Sequence, residues 1–499
     1  MKTLSILEHQ KFGISNIKSA LKIDSKDSDS KIQTKATKYF SELCDFAMGK
    51  DNHNFLRFYG KHALRAQKYV GLIQTKSGFC VEILPKIFKN DLKDSNAESK
   101  EKIKIDSKKY REKIQKNAEK FTNYITTDSE KPPTYESIFK DSQEKLSTEQ
   151  QSRILLFNIL KTLKKTPFKD SNFANLHTQN MNILEIFVNM FLDSLDSLIK
   201  RGVKHDYINI ESNKKFLKGK LLFAQNLREN LIHKERFYTQ SDEFSNDIAI
   251  NRLIISTLKV LNNLTLSGKT STRLNKMRFI LQDINESKNL SKDFAIAHSQ
   301  MRNLKLHAKE YESLYAWCKI FLKRESFSTY SGDSIAFALL FDMNKLFEYF
   351  VTFYVKKHAP NAKAQTTQKK MLIDSNNNET FTLKPDIVIE SNSQILILDT
   401  KWKNIKSNEI SKAISSADLY QIWAYASKYA ISHIVKGRRV GDRKTDSKDS
   451  KKEVKTFLIY PQTENNKEST LQNQTHYFKA SLKDSKNTIS LQLAFFPLF

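Results

Sequence analysis

Two short segments near the C-terminus carry the residue types of metal-dependent phosphodiester hydrolysis. Lys384-Pro385-Asp386 and Asp399-Thr400-Lys401 together hold two carboxylates and two amines. The flanking runs LKPDIVIE (383–390) and QILILDTKWK (394–403) are rich in β-branched and aliphatic residues, and Ser391-Asn392-Ser393 separates them, which predicts two strands joined by a tight turn. A two-residue turn at Asn392 and Ser393 sets Asp386 opposite Asp399. Like charges in direct opposition are destabilising unless a cation lies between them, and an oxygen-ligated Mg²⁺, or Mn²⁺ in its place, is the expected resolution. Lys401 follows Asp399 by two residues, so the strand period puts its ammonium on the same face. In such a site the metal polarises a phosphate and acidifies a bound water, while the lysine orients that water or stabilises developing negative charge.

Two further elements are needed to position these groups. Upstream, IAFALLFDMNKLFEYFVTFYV (335–355) reads as one strongly apolar helix that carries Glu348 inside its hydrophobic run, where an unpartnered carboxylate is costly. Downstream, SADLYQIWAYASKY (416–429) reads as a second helix, with Gln421 and Tyr425 four apart on one face.

The ordered set Glu348, Pro385-Asp386, Asp399-Thr400-Lys401 and Gln421-x-x-x-Tyr425 resembles the PD-(D/E)xK nuclease superfamily, and its Gln-x-x-x-Tyr element resembles the RecB-like branch. Within that superfamily, LLFDMNKLFEYFV, LDTKWK and DLYQIWAYA look like the McrC family, as do YVGLIQTKSGFCVEILPKI (69–87), RGVKHDYI (201–208) and 216–254. The resemblance implies an Mg²⁺-dependent endodeoxyribonuclease with Asp386, Asp399, Glu348 and Lys401 as catalytic residues. Asp386, Asp399, Glu348 and the Thr400 carbonyl would be the metal ligands, and Gln421 and Tyr425 would bind phosphate or support the core. It also implies DNA as substrate and a separate AAA+ GTPase of the McrB type as partner, with the N-terminal half docking on the ring and the C-terminal half cutting. A stand-alone repair or defence nuclease and a non-catalytic activator of a GTPase ring remain alternatives.

Composition is compatible with this reading. The 499-residue chain is long enough for two or three cores, and its formal net charge of +28 suits a polyanionic partner. The expected architecture is α/β. A β-rich N-terminal docking region (1–90), with a hairpin turning at Lys76-Ser77-Gly78, precedes a low-complexity, disordered insert (91–148), within which 100–120 has the composition of a polar helix. A mainly helical middle (149–325) and a mixed-sheet nuclease domain flanked by helices (326–499) follow. Further Asp/Ser/Lys tracts at 23–31 and 436–455 read as exposed inserts. The three cysteines, Cys44, Cys80 and Cys318, are too scattered for a disulfide framework or an iron–sulfur cluster. No apolar window reaches the roughly 18 residues of a membrane helix, and no secretory signal opens the chain, so a cytoplasmic location without membrane contact is expected. Ser267-Gly268-Lys269-Thr270 mimics the end of a P-loop, but Asn263 stands where the first glycine is required, so no nucleotide is expected on this chain.

Overall fold

The computed structural model describes residues 2–22, 28–50, 52–86, 107–127, 132–135, 147–163, 182–264, 266–301, 308–322, 335–367, 369–375, 378–405, 408–436, 453–463, 466, 474–478 and 489–498. Among these residues the C-terminal part is built on a six-stranded sheet in the order Ala362–Ala364, Ile387–Glu390, Gln394–Thr400, Glu453–Pro461, Ile489–Phe496, Thr475–Tyr477. The first pairs are antiparallel, the middle three strands run parallel, and the last edge is antiparallel again. Parallel strands need cover on both faces, and their near-continuous apolar runs supply it. Leu396, Leu398, Phe457, Ile459, Ala494 and Phe496 join one core with Phe347, Phe350 and Tyr354 of the helix Met343–His358. Ile395, Ile397, Leu458, Tyr460, Leu493 and Phe495 join another with Ile422, Tyr425 and Ala426 of the helix Ser416–Lys436. This strict alternation assigns every strand residue a face.

A second sheet lies in the N-terminal part, in the order Thr3–Leu7, Cys80–Leu84, Tyr69–Thr75, Ile335–Asp342. The hairpin expected at 69–87 is present, with Gly78 at φ 87° in its turn. Its fourth strand arrives from far along the chain and pairs closely with Tyr69–Thr75 at Gly71, where a Cβ would stand 2.1 Å from the Leu339 carbonyl oxygen. One face of this sheet is covered by the helices Ile14–Lys22 and Asp29–Met48. Leu7, Val70, Leu72 and Leu84 on the other face belong to the same core as Phe347 and Leu398.

Several expectations are corrected. The segment 335–355 is a strand followed by a helix, because Asp342 ends the strand and caps Met343–His358, its Oδ1 accepting the Asn344 N–H at 3.0 Å. Residues 1–90 contain two helices beside their strands. The boundary at 325 fails because the strand after it completes the N-terminal sheet. Within 91–148, the helix Ser107–Thr126 buries Ile114, Ala118, Phe121 and Ile125, an i, i+4, i+7, i+11 set that the polar average of the segment conceals. The rest of that insert, at 91–106, 128–131 and 136–146, lies outside the described residues, as do 23–27 and 437–452 of the other tracts. The helical middle is interrupted by a three-stranded sheet, Asp206–Lys214, Lys220–Leu221 and Phe237–Ser245. Among the described residues no helix is long and apolar enough to cross a membrane.

The placement of Ser107–Thr126 is directly testable. Phe121 is fully buried, its ring 4.9 Å from that of Phe496. Phe121→Ala is expected to lower the unfolding free energy by about 3–5 kcal/mol in urea denaturation, whereas an exposed insert would tolerate the change.

Candidate active site

The hairpin that carries the two aspartates has the register read from its turn. Ser391 N–H donates to the Gln394 carbonyl at 2.9 Å, and the pairs Glu390↔Ile395, Ile389↔Leu396, Val388↔Ile397 and Ile387↔Leu398 follow. One step further along the same ladder brings Asp386 opposite Asp399. By the alternation above, Asp399 and Lys401 point to the side of Val388 and of the helix Ser416–Lys436, where Lys401 meets Gln421.

Each group has definite partners. Asp386 Oδ2 accepts from the Thr400 N–H at 2.7 Å and the Thr400 hydroxyl at 2.6 Å. Asp399 is 1% exposed, and its Oδ2 lies 2.6 Å from Lys401 Nζ. Lys401 also donates to Gln421 Oε1 at 2.7 Å. Gln421 Nε2 donates to Tyr425 OH at 2.9 Å, and that hydroxyl donates to the Lys384 carbonyl at 3.2 Å. The helix thus ties the lysine back to the residue that precedes Pro385-Asp386. Glu348 stands on the neighbouring helix with its Oε1 held by Gln365 Nε2 at 2.6 Å.

Electrostatics follow from burial. Desolvation, and then the facing Asp386 charge, push the Asp399 carboxyl up to about 7. Asp386 is also raised by desolvation, against the Thr400 hydrogen bonds, and Glu348 is raised by desolvation and by Asp386. For Lys401, desolvation opposes the charge, but Asp399, Asp418 and Asp386 outweigh it and hold the amine protonated. The site is therefore a buried carboxylate paired with the Lys401 ammonium beside a half-buried one held by Thr400. Hard oxygen donors in that condition fit Mg²⁺ or Mn²⁺. The fit is to the aspartate pair: among the described residues no three His, Cys, Asp or Glu side chains are arranged to hold a metal ion, and Glu348 is engaged by Gln365.

The model of the McrBC 5-methylcytosine restriction system component family matches residues 64–435, a span that includes Glu348, Asp386, Asp399, Lys401, Gln421 and Tyr425. The chain belongs to that family. A relative within the range of McrBC proteins is the type IV methyl-directed restriction enzyme EcoKMcrBC of Escherichia coli (strain K12), 23% identical over 257 residues, which cover 49% of this chain and 72% of the relative. The fold is similar to a chain in the refined half-complex from the tetradecameric assembly of Thermococcus gammatolerans McrB AAA+ hexamers with bound McrC. The TM-score is 0.52 at 17% identity, covering 98% of this chain and 94% of that one.

In this McrBC-family chain, two residues of the site, Gln365 and Asp418, were not singled out by sequence. Gln365, at φ 47°, gives its backbone N–H to the Asp386 carbonyl at 2.9 Å and its side chain to Glu348. Asp418 lies 3.8 Å from Lys401 Nζ and pairs with Lys403. Lys384 stands close enough to favour the charged forms of Glu348 and Asp386. Gln365 follows an edge strand and has no motif, whereas Asp418 was legible as an acid three residues before Gln421 on the same helix. The rejected P-loop mimic is a helix start, and the Ser267 N–H there donates to Glu185 of this chain.

Linkage sets the pH response. Asp399 has a folded value of about 7 against an unfolded 3.8, so its contribution to stability is fully present below 3.8 and is lost as pH rises through about 7. In EDTA, Asp399→Asn is expected to be at least as stable as the wild type at pH 8 and to lose that relative advantage by pH 5, read as urea midpoints. A wild type that gains stability over the variant between pH 5 and 8 would contradict this electrostatic picture.

Proposed function

We propose that this chain is the Mg²⁺-dependent endodeoxyribonuclease subunit of an McrBC-type restriction system, with a PD-(D/E)xK core formed by the six-stranded sheet and its two covering helices. The observation that carries the reading is the opposed pair Asp386 and Asp399 with the Lys401 ammonium on Asp399 at 2.6 Å. A bound divalent ion, held by Asp386 and Asp399, would supply Lewis acidity and lower the pKa of a bound water. The chain's own residues do the rest. Lys401 stays protonated, which suits it to stabilise charge on the phosphate and orient water rather than to act as a base. Gln421 and Tyr425 fix the position of that ammonium through their chain of hydrogen bonds to Lys384. Thr400 holds the Asp386 carboxylate through its N–H and its hydroxyl. Water attacks phosphorus, the opposite P–O bond breaks, and the departing oxygen takes a proton.

The net charge of +28 supports DNA as substrate. A McrB-type AAA+ GTPase as partner is supported by family membership and by the likeness to a McrC-containing assembly. An interaction surface suited to it is the sheet at 206–245, which displays Tyr207, Phe223, Leu227, Leu231, Ile232 and Phe244, each at least 65% exposed. Tyr207 and Phe244 lie side by side, their ring centroids 5.3 Å apart, and exposed large apolar side chains gathered in one segment suit an interaction site.

The test is cleavage of methylated plasmid with Mg²⁺, by the chain alone and with its McrB-type partner and GTP. The full mixture is expected to cut, and Asp399→Ala or Lys401→Ala to lower the rate by about 10²-fold or more with partner binding retained. Undiminished cutting by both variants would remove the assignment. Ile232→Ser with Leu231→Ser is expected to weaken partner binding in a pull-down while leaving the thermal midpoint in place.

A further inference from the structure

Glu8 is a buried carboxylate that the mechanism above does not use, and it reaches the active site from the opposite end of the chain. Its side chain has no solvent exposure. Oε1 accepts the Trp402 indole N–H and the Lys86 backbone N–H, the latter at 3.2 Å, with Lys86 Nζ at 3.9 Å. Among the described residues Oε2 has no hydrogen-bond partner. The next residue, His9, sits at φ 63°, a left-handed conformation that is unfavourable for a non-glycine residue. The turn so formed is closed by Gln10, whose Oε1 accepts the Leu7 N–H at 2.7 Å. Burying a carboxylate with one oxygen unpaired is expensive, so the arrangement calls for a compensating role.

Trp402 supplies the link to the chemistry. It is the residue after Lys401, lies beyond the end of the strand Gln394–Thr400, and is 3% exposed. Its ring is 5.3 Å from that of Phe347, which immediately precedes Glu348. Lys401 itself is anchored on the backbone by its N–H to the Ile459 carbonyl at 2.8 Å, while Lys403 N–H turns back to the Lys401 carbonyl at 2.9 Å. The indole thus links Glu8 to Phe347 through residues adjacent in sequence to Lys401 and to Glu348.

We infer that Glu8 is a positioning residue for the active site: by holding the Trp402 indole, the N-terminal sheet fixes Lys401 against Asp399 and seats the helix that bears Glu348. Glu8 touches no reacting atom, and the inference rests on the nuclease reading of that site. The experiment uses the full chain assembled with its McrB-type partner, GTP, Mg²⁺ and methylated plasmid, and compares single-turnover cleavage with DNA affinity. Glu8→Ala and Trp402→Phe, the second of which keeps an aromatic ring against Phe347 but lacks the N–H, are each expected to slow cleavage by about ten-fold or more. DNA affinity should stay within about two-fold. Glu8→Gln, which retains an acceptor for the indole, should recover cleavage to within about three-fold of the wild type, and the Glu8→Ala/Trp402→Phe pair should be no slower than the worse single variant. Cleavage unchanged in both single variants, a slowing matched by an equal loss of DNA binding, or multiplicative effects in the pair would overturn the inference. A wild-type complex that does not cut would instead overturn the nuclease reading, and this inference with it.

Discussion

The mutual repulsion of Asp386 and Asp399 is the constraint around which this molecule is arranged. Neither carboxylate chooses its neighbour: the two-residue turn at Asn392 and Ser393 sets the register, and the register sets the opposition. The strand Gln394–Thr400 is then buried on both faces, so Asp399 cannot relieve the conflict by turning to water. Its proton affinity rises accordingly. Thr400 clamps one acid and Lys401 neutralises part of the other, leaving a pocket of negative charge in a rigid frame. Local conflicts that the surrounding fold enforces are where function is expected.

The frame is shared along the whole chain. The strand Ile335–Asp342 completes the N-terminal sheet and runs straight into the helix that carries Glu348. Asp342 at that junction is tied to Lys68 at 2.9 Å, and Glu8 of the same sheet is tied to Trp402 beside Lys401. Both halves of the candidate site thus hang from the N-terminal sheet, and one continuous core joins it to the six-stranded sheet. The apolar projection at 206–245 leaves this body through a polar seam. Asn251 donates to the Lys204 carbonyl at 3.1 Å, and Tyr311 donates to Asn251 at 3.0 Å while accepting the Lys204 N–H at 2.9 Å.

The hairpin and its pairing were legible because their signals are local: β-branched runs with a period of two, a short polar turn, and acids at matching distances from it. The helix with Gln421 and Tyr425 was legible for the same reason. What sequence could not give was long-range. Residues 335–355 are apolar throughout, so periodicity could not separate a strand from a helix; the decision belongs to Asp342, whose capping role depends on the strand pairing with Tyr69–Thr75. The buried stripe of Ser107–Thr126 was masked by the lysines around it, and the sheet at 206–245 by the helices on either side. Gln365 and Glu8 reach the site only through tertiary contacts across the sheet edge and across nearly the full length of the chain.

The central claim is that the opposed aspartates form a cation site. Calorimetric titration of the full chain with Mn²⁺ at pH 8 tests it most directly, with the Asp386→Asn/Asp399→Asn double variant as the comparison. Saturable binding to the wild type that disappears in a folded double variant is the result this account predicts; no binding to the wild type, or equal binding to both, would contradict it.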